Sequence, residues 1–337
     1  METSLPLVTL EQIEQARERI AGVAVRTGLY RLDVEHARGL GFALPQNLPA
    51  IWLKAENEQP IGSFKLRGAY NKVASLTDEE LQRGVVAHSS GNHAQGVAYA
   101  ARAHGAKATI VMPEVAPRIK RDATAGYGAE VVLVGPASTE RIQTADRIVR
   151  ETGAVLVPPY DDDLIIAGQG TCGLEILEQL PEVDLVLSPV SGGGLLSGIA
   201  TAIKSSREGV KVWGAEPELA GDAAESFRKR QIVEWPGTQT VKTIADGLRT
   251  QSLAQRTYNH IVKYVDGIVT VTEDEILDAT RLLLTAANLV AEPSGAVTLA
   301  AALFHGDDLP AAKNVVCVVS GGNIDPALRQ ELIEAES

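Results

Sequence analysis

Lys65 stands inside GSFKLRGA (Gly62–Ala69), directly after Phe64, one of only four phenylalanines in the chain. A desolvated lysine loses its charge more readily, and its free amine adds to aldehydes. Gly62-Ser63 ahead of it can start a helix, which places Lys65 on the first turn. For a lysine taken alone, a solvated surface charge is the competing reading. A second cluster, SSGNHAQGVA (Ser89–Ala98), gathers the hydroxyl, amide and imidazole groups of Ser89, Ser90, Asn92 and His93 in one turn. Its plain alternative is a capped helix behind a tight glycine turn. A third, VSGGGLLSG (Val190–Gly198), carries three consecutive glycines that let backbone wrap an anion ahead of a helix dipole. Those residues fit a phosphate or a tight turn equally. They match neither usual nucleotide signature, because no Lys-Ser/Thr follows and the G-x-G-x-x-G spacing fails at Ser197. SGGN (Ser320–Asn323) is the fourth. His88 and His93 lack a third ligand and any HExxH context, so they do not read as a zinc pair.

These clusters share a setting: a short apolar run precedes each, and a helical pattern follows the first three. VVAHSS leads into NHAQGVAYAARAHG, ATIVMP into PRIKRDATAGYG, EVVLVG into STERIQTADRIVRETG, and DLVLSPV into SGGGLLSGIATAIKSS. Val315–Val319 then precedes SGGN. Strand–helix alternation of this kind predicts βαβ units around a parallel sheet buried on both faces. Ligands bind such sheets at the carboxyl ends of the strands, where all four clusters fall. Upstream, Thr9 and Gln12 form a capping-box pattern before Ile13, Ala16 and Ile20. IWLKAE (Ile51–Glu56) alternates like a strand, and Gly39–Pro49 reads as a loop.

At 337 residues, and roughly 150 per domain, two domains are expected. Composition does not shift along the chain, so the second domain is read as inserted. A net charge of −12 and an aromatic share of 4% argue against a nucleic-acid surface. No apolar run approaches the ~18 residues of a membrane span. METSLPLVTLEQIEQARERI has no apolar signal core, so the chain reads as unexported and cytoplasmic. Cys172 and Cys317 form neither a disulfide framework nor a zinc pattern.

Taken in order, GSFKLRGA, the Ser89–His93 loop, IAGQGT (Ile166–Thr171), the Val190–Gly198 loop, TIADGL (Thr243–Leu248), VTEDEI (Val271–Ile276), AEPSGA and SGGN resemble the fold-type II pyridoxal-phosphate enzymes. The similarity is to their serine/threonine dehydratase and serine racemase group. It implies a two-domain α/β fold like the tryptophan synthase β chain, with parallel or mixed twisted sheets and helices on both faces. Residues 1–82 and 156–337 would form the large cofactor-binding domain, and 83–155 a small mobile one. The resemblance further implies that Lys65 carries pyridoxal 5'-phosphate, with Phe64 beside it. Ser191, Gly192, Gly193, Gly194 and Leu195 would hold the phosphate, Asn92 the ring hydroxyl and Ser320 the pyridine nitrogen. The substrate carboxylate would sit on Ser89, Ser90, Asn92 and His93, with Lys65 and Ser90 as acid/base groups on opposite faces of Cα. The same motif is met in dehydratases and racemases.

Glu216 and Asp222 follow the strand-like KVWGAEP. By spacing alone they are solvated loop charges or oxygen ligands for Mg²⁺ or Ca²⁺. The resemblance implies the latter, a racemase-type cation site of Glu216, the Ala220 carbonyl and Asp222, open to Mg²⁺, Ca²⁺ or Mn²⁺.

The implied activity is a dehydratase for a β-hydroxy-L-amino acid, most simply L-threonine or L-serine. The alternatives are serine racemisation, or dehydration of 3-hydroxyaspartate, phenylserine or a hydroxyectoine-pathway intermediate. Three departures bear on that choice: Ser191 for a common glycine, Ile61 for a common threonine, and Pro158-Pro159-Tyr160 ahead of IAGQGT. Arg141 matches a racemase position that can face the substrate; as a helix residue it reads equally as a surface arginine. With 14 residues after Asn323, no C-terminal regulatory domain is expected. The family pattern implies a homodimer with a small-molecule substrate and no nucleic-acid or membrane partner. A Rossmann oxidoreductase would share the βα rhythm but lacks its glycine fingerprint here.

Overall fold

The computed structural model describes residues 5–89, 91–116, 118–135 and 138–334. Ten strands form within them: β1 (Leu29–Arg31), β2 (Ala50–Ala55), β3 (Val85–His88), β4 (Ala108–Pro113), β5 (Glu130–Val134), β6 (Val155–Leu156), β7 (Leu185–Pro189), β8 (Lys211–Pro217), β9 (Gly267–Val271) and β10 (Asn314–Val319). They make two sheets. One has six strands in the order β1-β2-β10-β7-β8-β9, the other four in the order β5-β4-β3-β6.

Continuous apolar runs drive this arrangement. β4 and β7 are buried at every residue, and β10 at every residue from Val315 onward, as sheets covered on both faces require. Every pairing is parallel except β1 with β2, an antiparallel edge that the sequence pattern did not reveal. IWLKAE shifts by one residue, since β2 ends at Ala55 and Glu56 opens a 3-10 turn. AVLVPP yields only Val155–Leu156, because Pro158 and Pro159 have no N–H to extend the ladder.

At the N-terminus, Gln12 N–H donates to Thr9 Oγ1 at 3.3 Å and Thr9 N–H to Gln12 Oε1 at 2.9 Å, closing the capping box. The helix it starts buries Ile13, Ala16 and Ile20, and packs on the helix Asp163–Gln179. That second helix contains IAGQGT. A methyl group at Gly168 would lie 2.6 Å from the Arg67 carbonyl oxygen, so glycine is what lets the helix Lys65–Ala74 approach so closely. Among the described residues, no helix is long and apolar enough to cross a membrane.

Candidate active site

The carboxyl ends of β2, β3, β7, β8 and β10 lead into every segment with chemical potential. The chain between β2 and Lys65 is tied to the loop after β10 by three bonds. Phe64 N–H donates to Ser320 O at 3.1 Å, Gly322 N–H to Gly62 O at 2.8 Å, and Asn323 Nδ2 to Ile61 O at 2.9 Å. Lys65 is therefore the first residue of a helix whose start is anchored to the opposite loop. Its Nζ donates to Pro159 O at 2.9 Å and lies 5.1 Å from the Phe64 ring centroid. The residue is half-buried but its amine is packed round by protein. That desolvation lowers its pKa from 10.5 to about 8.

After β7, Gly193 adopts φ +89°, a left-handed conformation that glycine tolerates, and the helix Gly194–Ser206 begins. No side chain caps that helix, so its first-turn N–H groups remain available to an anion. A methyl group at Gly192 would strike the Tyr160 ring at 2.3 Å, so the loop lies flat against Tyr160. Ser191 Oγ is 2.8 Å from Thr250 Oγ1, and Leu195 is buried. Ser320, 4% exposed, directs its hydroxyl to Ser294 O at 3.4 Å. A reactive amine beside an aromatic ring, an uncapped glycine-lined helix start and a neutral hydroxyl fit a flat aldehyde cofactor with an anionic tail.

The loop after β3 opens a second helix, Asn92–Ala103, again without a side-chain cap. Gly91 N–H donates to Ser89 Oγ at 3.3 Å. His93 Nε2 donates to Val157 O at 2.9 Å, which leaves Nδ1 as a buried acceptor with no partner. Burial, reinforced by the Lys65 charge, pushes the His93 pKa down to about 3, so the ring is neutral. Ser90 lies outside the described residues. Arg141 falls on the helix Ser138–Thr152, half-buried, where its charge adds to burial in lowering the pKa of His88 at the end of β3. This brings it to the root of the Ser89 loop.

Glu216 ends β8 completely buried, its carboxylate accepting from Ala224 N–H at 2.9 Å and Ala223 N–H at 3.3 Å. Asp222 is buried beside it, and neither of its oxygens has a hydrogen-bond partner. Burial and then Asp222 hold Glu216 well above the usual carboxylate range, and burial raises Asp222 to about 7. Two buried acids, one with both oxygens open, suit a hard divalent cation. Among the described residues, no cluster of three or more His, Cys, Asp or Glu could hold a metal, so such a site needs backbone oxygen such as that of Ala220.

Sequence reasoning passed over two groups. Arg67, two residues beyond Lys65, is fully buried and forks onto Glu56 at 2.7 and 2.8 Å and onto Glu175 at 2.7 and 2.8 Å. Lys54 joins through Glu175 at 2.6 Å. Lys54 standing in an apolar strand was the available signal. Glu292, inside AEPSGA, accepts from Asn92 Nδ2 at 2.6 Å, while Asn92 Oδ1 accepts from Asn323 Nδ2, also at 2.6 Å.

A two-sheet α/β fold that sets a desolvated lysine and a glycine-lined helix start on the same Pro159-Tyr160 segment defines the class of vitamin B6 enzymes built on this plan. Residues 26–321 match the model of the family described as pyridoxal-phosphate dependent enzymes, and the chain belongs to that family. It is 45% identical over 328 residues to an L-threonine ammonia-lyase of Thermotoga maritima, covering 97% of this chain and 78% of that protein. It is 42% identical over 323 residues to a catabolic L-threonine dehydratase of Staphylococcus aureus, covering 95% and 90%. Maize serine racemase superposes with a TM-score of 0.89 at 36% identity, covering 98% of each chain.

Proposed function

We propose that the protein is a pyridoxal-phosphate-dependent ammonia-lyase that converts L-threonine or L-serine to a 2-oxo acid and ammonia. The desolvated Lys65 amine, bonded to Pro159 O beside the Tyr160 that packs on the glycine loop after β7, carries the reading. The similarity to the threonine ammonia-lyase and dehydratase narrows the substrate.

When bound, pyridoxal phosphate supplies the conjugated sink for the electron pair left by the Cα proton. Ser191–Leu195 and the helix dipole would hold its phosphate, Phe64 flanks the Lys65 amine, and Asn92 would meet the ring oxygen. The substrate carboxylate docks on the uncapped N-terminus of the helix Asn92–Ala103, with the Ser89 hydroxyl and neutral His93 beside it. Lys65 Nζ, free of the cofactor once substrate is bound, would be the base that takes the Cα proton. The neutral Ser320 hydroxyl, set against the ring nitrogen, would not keep a proton there as a carboxylate would. Loss of the Cα proton and the β-hydroxyl together would remove one water, and the enamine released would tautomerise to an imine that takes up one water to give the 2-oxo acid and ammonia. Ser90 is assigned the opposite face of Cα, where a proton returned would racemise the substrate. Arg141, at the root of the Ser89 loop, is assigned to substrates with a second carboxylate. The unit of residues 83–155 is taken to close over the substrate, and the enzyme to be cytoplasmic and homodimeric, on the family pattern.

The test is a 2-oxo-acid assay on L-threonine, L-serine, both 3-hydroxyaspartate diastereomers and phenylserine, with chiral analysis of the remaining substrate. Turnover of L-threonine or L-serine to ammonia and 2-oxo acid is expected. Racemised serine without 2-oxo acid would overturn the reaction class while leaving the cofactor in place.

We assign Mg²⁺, or Ca²⁺ or Mn²⁺, to Glu216, the Ala220 carbonyl and Asp222, because a cation would take up the open Asp222 oxygens and let both buried acids ionise. Chelation is expected to lower the melting temperature, with Mg²⁺ restoring it. An unchanged melting curve in the Asp222→Asn variant after metal addition, alongside a restored wild type, identifies the site. A wild type indifferent to chelator removes it.

A further inference from the structure

Glu292 has no part in the scheme above, yet it is 3% exposed and central to the contacts between the loops. Its backbone N–H donates to Gly321 O at 3.0 Å, and a methyl group at Gly321 would lie 2.4 Å from its Oε1. The AEPSGA and SGGN motifs are thus fitted to each other around this carboxylate. A carboxamide has two N–H donors and one oxygen acceptor. Glu292 Oε1 takes one N–H of Asn92, and Asn323 Nδ2 fills the Asn92 oxygen, each at 2.6 Å. Turning the Asn92 amide over would set N–H against N–H at Asn323 and oxygen against oxygen at Glu292. The amide is therefore locked in one sense, with its second N–H left over.

We propose that Glu292 is a positioning residue that fixes the Asn92 carboxamide so that its remaining N–H meets the cofactor ring oxygen, setting how tightly and in which ionic form pyridoxal phosphate is held. This rests on the assignment of Asn92 to that oxygen in the proposed function. The charged groups around Glu292 come from both sheets' surroundings. Asp246 repels its charge, Lys120 attracts it, and Lys120 is itself paired with Asp246. Arg249 lines the same cavity of about 700 Å³. Burial, followed by Asp246, raises the Glu292 pKa to about 7 against the pull of Lys120 and Asn92. The lock is accordingly charged above neutral pH and neutral below it.

The experiment measures pyridoxal-phosphate binding and the absorbance band of the bound cofactor from pH 6 to 8, without substrate, for wild type, Glu292→Ala and Glu292→Gln. Circular dichroism and thermal melting verify folding. Glu292→Ala is expected to bind about tenfold more weakly and to shift the band. Glu292→Gln keeps an oxygen acceptor for Asn92, so affinity should return to within about threefold, while the pH dependence of the band near 7 disappears. A folded Glu292→Ala with wild-type affinity and band overturns the proposal. If that variant does not fold, a Glu292→Gln pH profile identical to wild type overturns it. A wild-type protein that forms no cofactor band sinks the site assignment itself. Failure of turnover with a normal band and normal variant effects sinks only the proposed reaction.

Discussion

Lys65→Ala is expected to lose at least ~10³-fold in turnover, to show no violet absorbance with pyridoxal phosphate, and to gain no mass after borohydride trapping. The general-base role alone is worth ~10²–10⁴, and loss of the covalent anchor adds to it. The proposed phosphate loop, Ser191–Leu195, is untouched by this change, so weak non-covalent binding should persist. The pH dependence of capture separates a desolvated amine from an ordinary one. With a pKa of about 8, roughly a tenth of Lys65 is unprotonated at pH 7, against about one part in three thousand at the ordinary value of 10.5. The initial rate of adduct formation by cofactor-free wild type should therefore rise about tenfold per unit below pH 8 and level off above it. A rate still climbing at pH 10 would mean that the amine is solvated, and adduct at another lysine in the variant would mean that the anchor is misassigned. Stability has the same sign. Burial disfavours the charged amine, so its penalty is full below pH 8, where the folded state still carries the proton, and fades as pH rises toward 10.5.

Much of this geometry was legible because glycines, helix starts and apolar strand runs are local signals. The three glycines after Val190 and the Thr9–Gln12 box need only neighbours in sequence to be understood, and both formed as read. Contacts between distant segments were not legible. Nothing near Glu292 in sequence shows that it will meet Asn92, 200 positions away. Glu216 and Asp222 are an intermediate case: spacing put them together after a strand, but only the fold shows both carboxylates buried. The antiparallel β1 was missed because three residues carry too little pattern to declare a direction. Arg67 was missed for a related reason. A charged residue two positions after Lys65, on the far side of the helix, looks like a solvated face until the helix Asp163–Gln179 is seen to close over it.

That closure makes Arg67→Leu the most damaging change to the scaffold. The buried set comprises Lys54, Arg67, Glu56 and Glu175, two charges of each sign, with Thr27 Oγ1 donating to Glu56 at 2.7 Å and Arg67 Nη1 to Thr171 Oγ1 at 3.1 Å. Removing the guanidinium leaves Glu56 without a cation in bonding reach and Glu175 with Lys54 alone, in a buried region. Breaking a buried pair from one side costs about 3–5 kcal/mol, and that loss is expected in urea unfolding at pH 7. Burial by itself would raise the Glu56 pKa, yet Arg67 overrides it and brings the group down to about 2. The wild-type contribution is thus complete above the ordinary 4.5 and is lost as pH falls toward 2. In the variant burial is unopposed by Arg67, so protonation relieves the strain and stability improves as pH drops from 7 toward 5. The gap between the two proteins should narrow over that interval, and Glu56→Gln added to Arg67→Leu should recover part of the loss. A deficit under about 1 kcal/mol, or one that does not change between pH 7 and 5, would show that these charges do not hold the helix Lys65–Ala74 in place.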